Sequence, residues 1–353
     1  MKYLTLLLLA CFLLTITFAQ QQIQEVTIAQ GQMPNLTKDN NGIIHIVYGK
    51  GDSILYVSSK DGKTFSSPVL IDVVPKLYSF AMRGPQIAAT ANGLVVTACT
   101  QKGNIFSYIK QKEGEWKKAG EVNHADETAK EGLMALSADD SKAYAVWLGA
   151  KKTKGQNVCS ASSVDGGKTW SKKILVYASP DSTVCECCKP SVVVKNNKVF
   201  VMFRNQINGN RNLYLATSSD GGKTFPSAQK LGEGDWKLNA CPMDGGVLVI
   251  DKNGTPQTTW RRETKIYAAT PGAPEKEISE GRTPSIQIVN DKAVYAFTQN
   301  GNVIVLTPNG TKTELGKGNL PLLQTLNNNQ LLCVWENDKQ LKAAVMPPSS
   351  KRE

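Results

Sequence analysis

Histidine is almost missing from this chain. Two copies occur among 353 residues, and arginine is scarce too, with seven of the 41 basic residues. His45 lies in an alternating, strand-like segment and reads as structural, so His124 is the one imidazole left for a site. Charge is thin, at 20% of residues, which is too little for a coiled coil. A hydrophobic content of 41% excludes a disordered chain. Beyond the first twenty residues, no stretch approaches the roughly 18 apolar residues of a membrane span.

What is present begins with Lys2, an apolar run from Tyr3 to Phe18, and Ala19. One positive residue, an apolar core and a small end describe a secretory signal peptide over residues 1–19. Leu8-Leu9-Ala10-Cys11 has the look of a lipoprotein box, but it comes early and the apolar run continues past it. The expectation is a secreted or periplasmic protein without a transmembrane span, lipid anchoring being the alternative. An exported protein rarely meets nucleic acid. The net charge of +11 is therefore expected to serve solubility or an anionic ligand. Export also permits disulfides.

The rest of the chain repeats itself. Ser163-Val164-Asp165-Gly166-Gly167-Lys168-Thr169-Trp170 and Ser218-Ser219-Asp220-Gly221-Gly222-Lys223-Thr224-Phe225 both fit Ser-x-Asp-x-Gly-x-Thr-aromatic. Ser59-Lys60-Asp61-Gly62-Lys63-Thr64-Phe65 is one residue shorter. A degraded copy, Lys112-Glu113-Gly114-Glu115-Trp116, lies near the midpoint of the long gap. Each full copy has the chemistry of a turn: Asp accepts backbone N–H bonds, Gly supplies positive φ, and the aromatic covers the turn.

These motifs resemble the Asp-box, or BNR repeat, of the sialidase-like β-propellers. The resemblance implies a structural role for Ser59, Asp61, Phe65, Ser163, Asp165, Gly167, Trp170, Ser218, Asp220, Gly222 and Phe225. A second register points to the same architecture. Seven segments end on Tyr48, Cys99, Trp147, Phe203, Trp260, Phe297 and Trp335. Each is preceded by a strand start, at Pro34, Pro85, Leu133, Pro190, Gly246, Pro284 and Pro321. The unit reads as a four-stranded blade, with the aromatics packing between blades.

The expected fold is all-β: one propeller domain over residues 20–353 with seven blades, six being the alternative. The 334 residues after Ala19 divide into about 48 per blade. The seventh unit lacks a fourth strand, and Gln24–Ile28 is expected to supply it and close the ring. Closure removes exposed edges.

In such blades, the loop between strands two and three shares a face with the link from one blade to the next. Arg83 and Arg282 fall in links, whereas Arg204, Arg211, Arg261 and Arg262 fall in strand-two-to-three loops. Arginine pairs in bidentate fashion with carboxylates, phosphates and sulfates. These arginines, with Trp236 and Asp244, are the candidate ligand-binding set, although the same arginines suit bridges to neighbouring acids. Links also carry Cys185, Cys187 and Cys188, and then Cys241 and Met243, so four cysteines and a methionine are expected to converge at the channel mouth. Either two disulfides or a soft-metal site for copper or zinc, with Met243 and His124 as further ligands, suits that set. No cofactor is otherwise required. Cys99, Cys159 and Cys333 read as small buried hydrophobes.

The resemblance further implies roles for a sialidase-type glycosidase. Arg83, Arg204 or Arg211, and Arg282 would form an arginine triad. Tyr78 and Glu131 would be nucleophile and base, and Asp126 the acid/base. The family's Phe/Tyr-Arg-Ile-Pro motif is absent, and Met33-Pro34-Asn35 stands in its place. The leading expectation is a monomeric propeller binding an anionic glycan or acidic peptide. A glycosidase and a soft-metal protein are the alternatives.

Overall fold

A computed structural model describes residues 23–347, Glu113 excepted. The signal segment, the early Cys11 and Arg352 lie outside those residues. Among the described residues there is no helix at all, hence none long and apolar enough to cross a membrane. Twenty-eight strands form seven antiparallel four-stranded sheets.

The blades follow the chain. Blade one runs from Gln32 to Val73, blade two from Gln86 to Glu121, and blade three from Met134 to Tyr177. Blade four spans Ser191 to Lys230, blade five Val247 to Glu280, and blade six Arg282 to Lys317. Blade seven takes three strands from Asn319 to Met346, and its fourth is the N-terminal strand Glu25–Gln30. That strand pairs antiparallel with Gln340–Met346, Glu25 opposite Ala344, with a bulge between Thr27 and Ala29. The ring therefore closes as expected, with the closing strand reaching two residues further than Ile28.

Burial explains why strand two of each blade reads as a continuous apolar run. Lys142–Ala150 and Lys198–Arg204 are buried at nearly every position because both faces meet neighbouring blades. Strand four is the outer edge: in Val69–Val73, three of the five side chains are exposed. The strand-two aromatics pack on the preceding blade. Trp147 lies against Ala88, Val95 and Ile105 of blade two, and Trp335 against Val289 and Ala296 of blade six. Tyr48 closes the circle against Leu332 and Val334 of blade seven.

The three Ser-Asp-Gly turns have the bonding that their chemistry calls for. Asp165 Oδ1 accepts from the backbone N–H of Lys168 and Thr169, both at 3.0 Å, while Ser163 Oγ accepts from Gly167 N–H at 2.8 Å. Asp220 and Ser218 repeat this pattern. In the shorter copy, Asp61 accepts from Lys63 and Thr64 at 2.8 Å. Gly167 needs its positive φ of 89°, and a Cβ there would meet Val95 at 2.4 Å. These carboxylates bind nothing beyond their own turns and Ser or Thr side chains.

Candidate site at the channel mouth

The seven inner strands surround a central cavity of about 310 Å³. Its wall includes Met33, Met82, Gln86, Lys189, Asp244, Thr283 and Leu320, from six of the seven blades. The links into blades four and five touch at its rim: a Cβ on Gly245 would lie 2.2 Å from the Lys189 carbonyl.

The link into blade four buries three sulfurs together. Cys185 Sγ is 3.5 Å from Cys188 Sγ and 3.8 Å from Cys187 Sγ, and all three lie within 4.8 Å of one another. Met243, from the link into blade five, packs on them. Disulfide sulfurs stand about 2.05 Å apart, and every described cysteine is free. The expected pairing of Cys241 with Cys185 or Cys187 is thus not formed, because Cys241 is exposed while the trio is buried. His124 does not join them either. Its Nε2 lies 3.1 and 3.0 Å from the carbonyls of Trp170 and Ser171 in blade three.

Arginines surround the sulfurs. Arg211 Nη1 donates to Cys185 Sγ at 3.0 Å, and its Nε donates to the Leu238 carbonyl. Hydrogen bonds with Cys187 and Cys188 bring the Cys185 thiol down to about 3, with the charges of Arg204 and Arg211 helping against burial. Burial pushes Cys188 up to about 11, and Cys187 is raised first by its bond to Cys185.

The candidate ligand arginines mostly serve the scaffold. Arg204 is fully buried and donates to the carbonyls of Asp244 (3.2 and 3.0 Å), Arg211 (2.8 Å) and Arg261 (2.9 Å). Arg261 pairs with Asp244 at 2.9 Å. Trp236 is buried between these two, with its ring 5.1 Å from Arg204 and 5.2 Å from Arg261. It is an internal spacer and presents no stacking surface. Arg262 pairs with Glu275, and Arg83 with Glu131 at 2.9 Å. Bridging to neighbouring acids and carbonyls, the alternative role foreseen for these side chains, is what occupies them. Arg282 alone of the set is exposed, and its guanidinium has no hydrogen-bond or ion-pair partner among the described residues.

Each candidate catalytic group is engaged by its neighbours, and Tyr78 and Glu131 lie beside Arg83. The Tyr78 hydroxyl donates to the Lys130 carbonyl, and Glu131 is held by Arg83. Burial raises Tyr78, and the Glu131 charge adds to that. Asp126 accepts from Lys173 and from the Thr128 hydroxyl and N–H. Burial works to raise it, but those bonds win and keep it below the usual carboxylate range. A general acid needs the opposite shift.

One charged residue escaped the sequence reading. Lys189 lies in the channel wall, and burial brings its ammonium down to about 8. Its Nζ donates to Gln86 Oε1 at 2.8 Å. The signal was available in the blade register. The residues just before the seven strand starts are Met33, Gly84, Gly132, Lys189, Gly245, Thr283 and Leu320, and Lys189 is the only charge among them.

No family model matches the chain, and no curated protein does. Solved structures match at fold level. A lectin from Burkholderia pseudomallei is 9% identical, covering 92% of this chain and 98% of its own, with a TM-score of 0.66. A virginiamycin B lyase from Staphylococcus aureus is 12% identical, with 92% and 99% covered and a TM-score of 0.57. The NanB sialidase of Streptococcus pneumoniae is 12% identical, with 91% and 68% covered and a TM-score of 0.47. The first two show that the chain shares the β-propeller fold, and the fold alone.

Proposed function

We propose that this protein is an exported propeller that binds a monovalent soft metal ion, Cu(I), at its channel mouth through Cys185, Cys187 and Cys188. The observation that carries this reading is the buried trio of sulfurs at 3.5 and 3.8 Å. With metal–sulfur bonds of about 2.3 Å, ligand sulfurs stand roughly 3.8–4.0 Å apart, so the trio needs little movement to close on an ion. Thiolate and thioether donors suit soft ions, Cu(I) and zinc among them, and Met243 against the trio offers a thioether. Charge agrees as well. Three thiolates around Cu(I) carry minus two, which matches Arg204 and Arg211 beside them, while Arg261 is neutralised by Asp244. Zinc prefers a fourth strong ligand, and Cys241 and His124 stand apart from the trio.

Competition between the protein and a chromophoric Cu(I) chelator under anaerobic conditions tests the reading. One tightly held Cu(I) per chain is expected, bound through sulfur in X-ray absorption. Cys187→Ser and Cys188→Ser each lose it, and Cys159→Ser keeps it. No stoichiometric copper, or equal binding by Cys188→Ser, defeats the proposal, as does preferential uptake of zinc.

A further inference from the structure

We propose that the central channel is a binding site for a small organic monocarboxylate, with Lys189 supplying its cation. Lys189 directly follows Cys188 in the chain, so the test below uses metal-free protein and reads carboxylate binding on its own.

An ammonium has three N–H donors. One Lys189 donor reaches Gln86 Oε1. The orientation of that amide is set by its other end, since Gln86 Nε2 donates to the carbonyls of Gly84 and Pro85 at 2.9 and 3.0 Å. Two ammonium donors remain, and among the described residues no carboxylate lies within ion-pair distance of Lys189. Asp244, the acid on the same wall, is committed to Arg261 and to the Thr283 N–H. A half-buried cation in a cavity wall without a counter-charge is costly, and an entering anion relieves that cost.

The shape and lining of the channel select among anions. A volume of about 310 Å³ far exceeds a bare ion, as one water's share of liquid is about 30 Å³. Met33, Met82 and Leu320 give the wall an apolar part. One cation beside apolar surface suits a single carboxylate on a compact apolar body. Phosphate, with more charge and no apolar part, fits less well.

The test is calorimetric titration of metal-free protein, so that its outcome is independent of copper. The probes are hexanoate, hexanol and inorganic phosphate. Hexanoate is expected to bind saturably at one site, and hexanol and phosphate at least tenfold more weakly. Lys189→Met lowers hexanoate affinity at least tenfold, while Lys152→Met, on an outer loop, does not. Nitrogen-detected NMR of the lysine ammonium groups gives a readout on the unaltered protein: the Lys189 signal moves on adding hexanoate and stays put with hexanol. Equal binding of hexanol means a merely apolar cavity, and equal binding of phosphate means an inorganic-anion site. Either result overturns the proposal, as does unchanged hexanoate binding in folded Lys189→Met or no binding by the native protein.

Discussion

Two populations of cysteine share this molecule and behave in opposite ways. Cys99, Cys159 and Cys333 lie in strands between blades, and burial is the main cause that pushes their thiols up, to about 12 for Cys99 and about 11 for Cys159. Cys185 is just as buried, yet it is brought down to about 3. The difference is the neighbourhood. Cys99 reaches only the Thr100 and Ala129 carbonyls within apolar packing, whereas Cys185 meets two further sulfurs and the Arg211 guanidinium. Burial therefore says little about a thiol until its polar neighbours are known.

The largest expected effect comes from removing the apolar wall of the first population. Trp147 packs with Cys99 and Cys159, and Trp147→Ala is expected to cost about 3–5 kcal/mol in denaturant unfolding. A loss below 1 kcal/mol would mean that the blade interface is not what buries these cysteines. Next is the charge beside the second population. Arg211→Met leaves all three sulfurs in place and is expected to weaken Cu(I) binding by about 10–100-fold. Unchanged affinity would break the contrast, since the guanidinium would then have no part in holding thiolates.

The smallest effect concerns the turns on the opposite face. Bonds within each turn depress Asp61 and Asp220, and in Asp165 they outweigh burial. A depressed carboxylate adds stability that is fully present above its unfolded pKa of about 3.9. That stability is lost as pH falls through the lower folded value. Replacing all three by Asn should flatten the fall in melting temperature below about pH 4 and leave the profile near pH 7 parallel to that of the native protein. An unchanged acid limb would show that other carboxylates govern acid unfolding.

Much of the fold was legible because its signals are short. The turns could be read residue by residue, and the spacing of Tyr48, Trp147, Trp260 and Trp335 gave the blade count. The leftover Gln24–Ile28 pointed to ring closure. Less of the site could be read. The Cys185–Cys188 segment announced itself, and Met243 arrived where the topology put it. Cys241 and His124 did not, because loop order gives a face and no distance. Arg204, Arg261 and Arg262 end second strands and Arg282 opens the first strand of blade six, so the loops and links expected for them are not where they lie, and their partners were hidden as well. Lys189 is one of 34 diffuse lysines, and only its register against the other blade starts singles it out.

The sequence by itself determined the seven-blade ring, its closure and its turns. The bonds that the turn carboxylates and serine hydroxyls make join residues at most four positions apart, and each strand pairs with a neighbour in chain order except at the closure. Only the tertiary structure decided which arginines remain available, which sulfurs meet and which cation stands in the channel. Those contacts join Arg211 to Cys185 across 26 positions and Lys189 to Gln86 across 103. Their existence depends on how far each link bends as the blades dock, which local propensity does not encode.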